Sequence, residues 1–407
     1  MRQFDVPQFY RSPIISKLKS KRKLLDPRKQ DFSPSEIKIG PITFILARHF
    51  GFCFGVENAI EKSYKAIAEN PGKRIFLLSQ MIHNPDVNED LLAHGLRFLQ
   101  DTAGKEIIPF EELTPDDVVI IPAFGTSIEI EQKLRKIGAE IDQYNTTCPF
   151  VEKVWNRSEK LGQEDHTILI HGKVDHEETR ATFSHSSKTS PSLVLKNLEE
   201  ARILSLAIEG KMNQQEFESI FKGKFSKGFS IEKDLTRIGV VNQTTMLATE
   251  TQEITDFIRG VMTTKFGKEA IKKHMADTRD TLCYATNDNQ SSNLKLLDED
   301  ADLAMVVGGF NSSNTAHLVE ILEQKFNTVF IRSEKDLINT DTITGFDIHS
   351  KNVKTYSNLL PKKSEIRIII TSGASCPDAL VEGVMEKITS LYNIAFDQES
   401  VLNQLEA

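Results

Sequence analysis

Three of the four cysteines in this chain follow polar or small residues that leave an expected strand, and each stands at the start of a helical pattern. Cys53 opens a helical pattern through Val56, Ala59, Ile60, Tyr64 and Ile67; Cys148 opens another through Val151, Val154 and Trp155; Cys283 precedes a third over 287–297. A lone cysteine is usually a small core residue. Three of them at the mouths of strand-to-helix turns, far apart in sequence, instead predict three α/β units that meet at one metal centre. Three thiolates can hold three corners of a cubane iron–sulfur cluster and leave one iron without a protein ligand, which serves as a Lewis acid and an electron store.

The other distinctive polar residues fall in the same kind of place. His83, His176, Glu178, Thr244, Ser312, Ser313, Asn314 and Ser375 each follow an apolar run, and in parallel sheets ligands bind beyond the carboxyl ends of the strands. The runs 311–314 and 373–375 put hydroxyls, amides and backbone N–H groups at helix starts, where an anion is favoured. Helix capping is the simpler use of any one such turn; two of them beside histidines point to phosphate. His83 and His176 can donate to phosphate, act as acids or ligate a metal. Glu178 is a general acid if burial raises its pKa, and an exposed first-turn glutamate otherwise. Thr244 either relays a proton or caps the next helix.

The elements that must position these groups read as a βαβ succession. Strands are expected at 42–46, 74–78, 118–122, 167–170, 238–241, 303–307 and 366–370, each leading through a polar turn into a helix. The expected organisation is an arm over 1–41, α/β domains over 42–147, 148–282 and 283–390, and a tail over 391–407. Within the second domain, 183–237 reads as a surface elaboration.

With 407 residues, 39% hydrophobic and 27% charged, the chain falls in the globular class with two or three cores. A net charge of −8 argues against a broad nucleic-acid footprint, so any phosphate must be held locally. No apolar run is long enough to span a bilayer, and no secretory h-region opens the chain. Four cysteines without such a signal predict reduced thiols in a cytoplasmic compartment. The basic but acid-containing stretch 1–40 reads as a solvated arm; as a transit peptide it would place the chain in a plastid stroma. The chain has no GxGxxG partnered by an acid and no GxxxxGK[ST], so an external electron donor is implied.

Taken together, Gly51-Phe52-Cys53, His83-Asn84, Thr147-Cys148-Pro149, His176-x-Glu178, Gln243-Thr244-Thr245, Cys283-Tyr284-Ala285-Thr286, Asn311-Ser312-Ser313-Asn314 and Gly373-Ala374-Ser375-x-Pro377-Asp378 resemble the family of 4-hydroxy-3-methylbut-2-enyl diphosphate reductases, in its longer plant and cyanobacterial branch. The resemblance covers about 42–390. It implies a trefoil of three pseudo-threefold-related α/β domains, with mainly parallel sheets, around a central [4Fe-4S] cluster on Cys53, Cys148 and Cys283. It further implies that the substrate oxygen binds the unique iron while the diphosphate lies among His83, His176, Thr244, Ser312, Ser313, Asn314 and Ser375.

On the same resemblance, Glu178, aided by Thr244, supplies the proton that lets the hydroxyl leave. Two electrons and two protons give isopentenyl and dimethylallyl diphosphate, and ferredoxin or flavodoxin is the donor. No nucleic acid or membrane partner is expected. Phe124 stands where many members carry histidine, which changes the contacts on that side and not the reaction. Cys376 is expected to be a packing residue. Two other readings compete: a quinolinate-synthase-like Lewis-acid enzyme, and a non-catalytic redox sensor.

Overall fold

The computed structural model describes residues 5–277, 281 and 283–406. The expected boundary at 282, the first four residues of the expected arm and the last of the tail lie outside them. The chain divides into two compact units, one of residues 1–57, 83–87 and 284–407, the other of 58–82 and 88–283.

The first unit is built on a five-stranded sheet. Its strands, in spatial order, are Ser35–Ile39, Ile42–Leu46, Ile366–Ser372, Leu303–Val307 and Thr328–Ile331. The first two form an antiparallel hairpin and the others pair in parallel. Leu303–Val307 is buried at every position, as a strand covered on both faces must be. The strand Ile42–Leu46 does not open the sheet of its sequence neighbours: it pairs with 366–370 at the other end of the chain. A first domain running from 42 to 147 therefore lacks its expected first strand. A small antiparallel sheet of Leu337–Asn339, Thr342–Asp347 and Asn352–Ser357 completes the unit.

Neither terminal segment is a solvated appendage. Ser12 caps a helix, Pro13–Leu25, that buries Ile14, Ile15 and Leu18 in the core of the five-stranded sheet, and each such side chain contributes roughly 1.5–3 kcal/mol. The helix Gln398–Glu406 packs beside it through Val401. Gln404 closes the outer edge of the hairpin by donating to the Lys38 carbonyl at 2.9 Å, which blunts an edge strand.

The second unit holds two three-stranded parallel sheets. One orders Arg97–Phe98, Ile75–Leu77 and Val118–Ile120; the other orders Ser192–Leu195, Thr167–His171 and Ile238–Asn242. The stretch 183–237 is not a surface elaboration. Its strand Ser192–Leu195 is buried throughout, and Leu204, Phe217, Phe221 and Phe229 belong to the core of the second sheet. The polar serines and threonines of that stretch hide the pattern: Ser186 and Ser192 are themselves buried. The α/β class with mainly parallel sheets holds in both units.

Candidate active site

In the second unit, two strands end at turns that carry candidate residues. Thr167–His171 runs out into 172–176, where His176 caps the helix Glu177–Ser187 and its Nδ1 accepts from the Glu178 amide at 3.2 Å. That acceptance puts the proton of a neutral ring on Nε2. The Phe124 ring meets the His176 ring edge-on, with centroids 5.5 Å apart.

Glu178 is 1% exposed. Its carboxyl accepts from the Thr244 amide at 2.5 Å and from the Thr244 hydroxyl at 2.9 Å. Burial raises its pKa from the ordinary 4.5 to about 7, against the opposing pull of those two hydrogen bonds. A carboxyl in this state is half protonated near neutral pH and can give up a proton there.

Thr244 owes its place to Gln243, a residue whose role the sequence did not reveal. Gln243 Oε1 accepts from the Lys173 amide at 3.2 Å and from the Thr179 hydroxyl at 3.0 Å, and its amide donates to the His171 carbonyl at 2.8 Å. It thus ties the turn after Ile238–Asn242 to the helix that carries Glu178. A polar pair, Asn242-Gln243, closing an otherwise apolar and fully buried strand was the available signal. Asn242 beside it accepts from the Thr281 hydroxyl at 2.6 Å, which anchors the chain two residues before Cys283. Cys148 caps Pro149–Gln163 with its backbone alone, and its amide donates to the Ala123 carbonyl at 3.0 Å.

The first unit gathers the other groups. Leu303–Val307 ends in the turn to Ser313–Leu322, a helix capped by Ser312, whose hydroxyl oxygen accepts from the Thr315 amide at 3.3 Å and the Thr315 hydroxyl at 2.9 Å. Ser312 is therefore a cap as well as a candidate ligand. Asn314, 2% exposed, has neither its side-chain oxygen nor its nitrogen hydrogen-bonded within the protein. Such a group costs about 1–3 kcal/mol unless a ligand or water satisfies it. Ser375 donates to the His83 carbonyl at 3.2 Å, and Gly309 lies so close to that carbonyl that a Cβ would strike it. His83, Ser312, Asn314 and Ser375 thus share one unit, with the positive end of a ten-residue helix among them.

Cys53 belongs to this unit as well; Cys148 and Cys283 belong to the other. Among the described residues no group of three or more histidine, cysteine, aspartate or glutamate side chains stands close enough to hold a metal ion. The donor chemistry nonetheless fits a thiolate-held group. All four cysteines lie outside any disulfide. Cys53, Cys148 and Cys283 each directly precede a helix, Phe54–Glu69, Pro149–Gln163 and Tyr284–Leu296, whose positive end favours an anionic ligand atom. Cys376 is fully buried, and burial drives its thiol pKa far up, as suits a packing residue.

Fold and site together define a class: an α/β protein with cysteines directly before three helices, a buried acid poised near neutrality and an unsatisfied amide at a helix start. A family model described as LytB protein matches residues 44–389, and the chain belongs to the LytB family. It is similar to the 4-hydroxy-3-methylbut-2-enyl diphosphate reductase of Crocosphaera subtropica, 39% identical over 380 residues that cover 93% of this chain and 89% of that protein. With the enzyme of the same name from Prochlorococcus marinus subsp. pastoris it shares 40% over 356 residues, 87% of each. A solved structure of (E)-4-hydroxy-3-methyl-but-2-enyl diphosphate reductase matches with a TM-score of 0.52 and 25% identity, over 87% of this chain and all of that one. The Plasmodium falciparum reductase matches with a TM-score of 0.61 and 21% identity, over 91% and 99%, and supports the fold alone. Among the described residues no helix is long and apolar enough to cross a membrane.

Proposed function

We propose that this chain is a 4-hydroxy-3-methylbut-2-enyl diphosphate reductase. The reaction removes the allylic hydroxyl as water, consumes two electrons and two protons, and yields isopentenyl or dimethylallyl diphosphate. Within the chain, the observation that carries this reading is Glu178: a fully buried carboxyl, held at two points by Thr244, with a pKa of about 7. Membership of the LytB family and the similarity to reductases of this name support the same reaction.

Cys53, Cys148 and Cys283 would hold a [4Fe-4S] cluster, which when bound supplies Lewis acidity and one-electron steps fed by a ferredoxin or flavodoxin. The chain's own residues do the rest. Glu178 holds the proton that the leaving hydroxyl needs, and Thr244 keeps the carboxyl oriented. His176, with Nδ1 engaged by the Glu178 amide, presents its Nε2 proton. Asn314, the Ser312 and Ser313 hydroxyls, Ser375 and His83 receive the diphosphate at the start of Ser313–Leu322, where the helix dipole favours its charge. Phe124 places an apolar edge beside His176 instead of a further donor. The working compartment on this reading is a reducing one, the cytoplasm.

Anaerobic purification with iron and sulfide analysis, followed by oxidation of a reduced dye in the presence of the hydroxylated diphosphate, tests this. Four irons per chain and substrate-dependent dye oxidation are expected. Iron without electron uptake would instead favour a Lewis-acid dehydratase, and dye oxidation that survives loss of Glu178 would favour a redox protein without this catalysis.

A further inference from the structure

The helix Pro13–Leu25 carries Lys17, Lys19, Lys21, Arg22 and Lys23 and no acidic residue. One of these cations reaches the turn that delivers Cys53. Lys19 Nζ donates to both oxygens of Asp378, at 2.7 and 2.9 Å, and lies 4.9 Å from the centre of the Phe50 ring. The pair sits directly on the backbone of Gly51, at φ +76°, where an added Cβ would collide with the Asp378 carboxylate and meet the Lys19 ammonium. Gly51 is therefore glycine for two reasons, its left-handed conformation and the ion pair laid across it.

The neighbouring residues are held from the same side. Arg22 faces the Phe50 ring at 5.9 Å, and Tyr10, buried just before the helix, meets Phe52 edge-on at 5.8 Å. Three consecutive residues ahead of Cys53 thus rest on the segment 10–22. Asp378 also opens the helix Asp378–Leu391 and ends the turn whose Ala374 carbonyl accepts from the Cys53 amide at 3.2 Å and whose Ser375 hydroxyl donates to the His83 carbonyl. One short loop holds the Cys53 turn, the His83 turn and the N-terminal helix.

We infer that Lys19 and Asp378 are positioning residues: their ion pair clamps the Gly51-Phe52-Cys53 turn and fixes the direction in which Cys53 presents its sulfur. The clamp is partly shielded, with side chains 31% and 17% exposed, and bidentate, so it is stronger than a surface pair. It rests on the reading that Cys53 is an iron–sulfur ligand.

The test uses the full chain, reconstituted anaerobically, as wild type, Lys19→Met, Lys19→Arg, Asp378→Asn and Lys21→Met. Measured are iron and sulfide per chain, the rate at which an iron chelator bleaches the visible band, and the electron paramagnetic resonance spectrum after reduction. Lys19→Met and Asp378→Asn are expected to lose iron about tenfold faster and to show a shifted spectrum, whereas Lys19→Arg stays within about twofold of wild type. Lys21→Met is unchanged. Wild-type release from Lys19→Met, or equal acceleration in Lys21→Met, overturns the clamp and leaves the reductase reading intact. A wild-type chain that takes up no iron and sulfide overturns both. Amide exchange of the iron-free chain separates local from general loosening: Lys19→Met should expose the Cys53 amide and leave Ser313–Leu322 protected, and uniform loss of protection overturns the proposal.

Discussion

The turn that holds Glu178 and the turn that holds Asn314 follow strands of the same kind, yet they are finished differently. Glu178 is held on both sides: each carboxyl oxygen is engaged by Thr244, and Gln243 fixes Thr244 in turn. Asn314 is equally buried and has no hydrogen bond within the protein on either side-chain atom. A group that must hold a proton at a defined pKa needs its surroundings complete before substrate arrives. A group that must bind gains most when its partners are missing until then. On the proposed function, the first arrangement suits an acid and the second a receptor.

Breaking the acid gives the largest expected effect. Glu178→Gln keeps the shape and the bond from the Thr244 amide, with the Thr244 hydroxyl turned to accept from the new NH2, but has no acidic proton to give, so turnover falls by about 10²–10⁴-fold. Iron content and colour stay at wild-type values. A variant with near-normal turnover would take Glu178 out of the chemistry and erase the contrast. The same substitution has a second readout with a definite sign. Because folding raises this pKa from 4.5 to about 7, folded Glu178 stays protonated where the unfolded chain has ionised. Its contribution to stability is whole below pH 4.5 and is lost as pH rises through about 7, on the order of 3 kcal/mol. Denaturant titrations should show Glu178→Gln gaining on wild type over that window. Parallel curves would mean that the carboxyl is ionised in the fold.

The receptor is probed by Asn314→Ala. Loss of one charge-assisted contact should weaken diphosphate binding by about 10- to 100-fold, seen in KM or in direct titration of the chain with a substrate analogue. The ligand-free chain should be no less stable than wild type, because the amide it loses made no hydrogen bond within the protein. A destabilised apo chain with unchanged affinity would make Asn314 a structural residue.

Much of this was legible in the sequence. Leu303–Val307 and the stretch 168–170 are continuous apolar runs, and the polar residues that break them mark the strand ends, which is why His176, Glu178, Thr244 and Asn314 could be picked out as candidates. Pairing was not legible. Nothing in Ile42–Leu46 says that it lies against Ile366–Ile370, because a buried parallel strand advertises burial and not its neighbour. The stretch 183–237 misled for the converse reason: Ser186 and Ser192 are polar by type and buried by context. Likewise Lys17 to Lys23 read as a solvated basic cluster, although Ile14, Ile15 and Leu18 already carry the i, i+1, i+4 pattern of a packed face. The partner of Lys19 lies in a distant part of the chain, and no local pattern announces it.

The finest of these tests separates the two hydrogen bonds at the acid. Thr244→Val removes the hydroxyl that reaches Glu178 at 2.9 Å and keeps the backbone amide at 2.5 Å. Both bonds hold the pKa of Glu178 down against the rise that burial imposes, so losing one moves it above about 7. The limb on which activity falls with rising pH then shifts to higher pH, because the acid keeps its proton longer. The maximal rate drops by only about tenfold, since the carboxyl is still held at one point. The pH profile measures this directly. A limb that stays in place while the rate falls would mean that Thr244 acts on the substrate and not through Glu178, and the acid's finished surroundings would then depend on the amide alone.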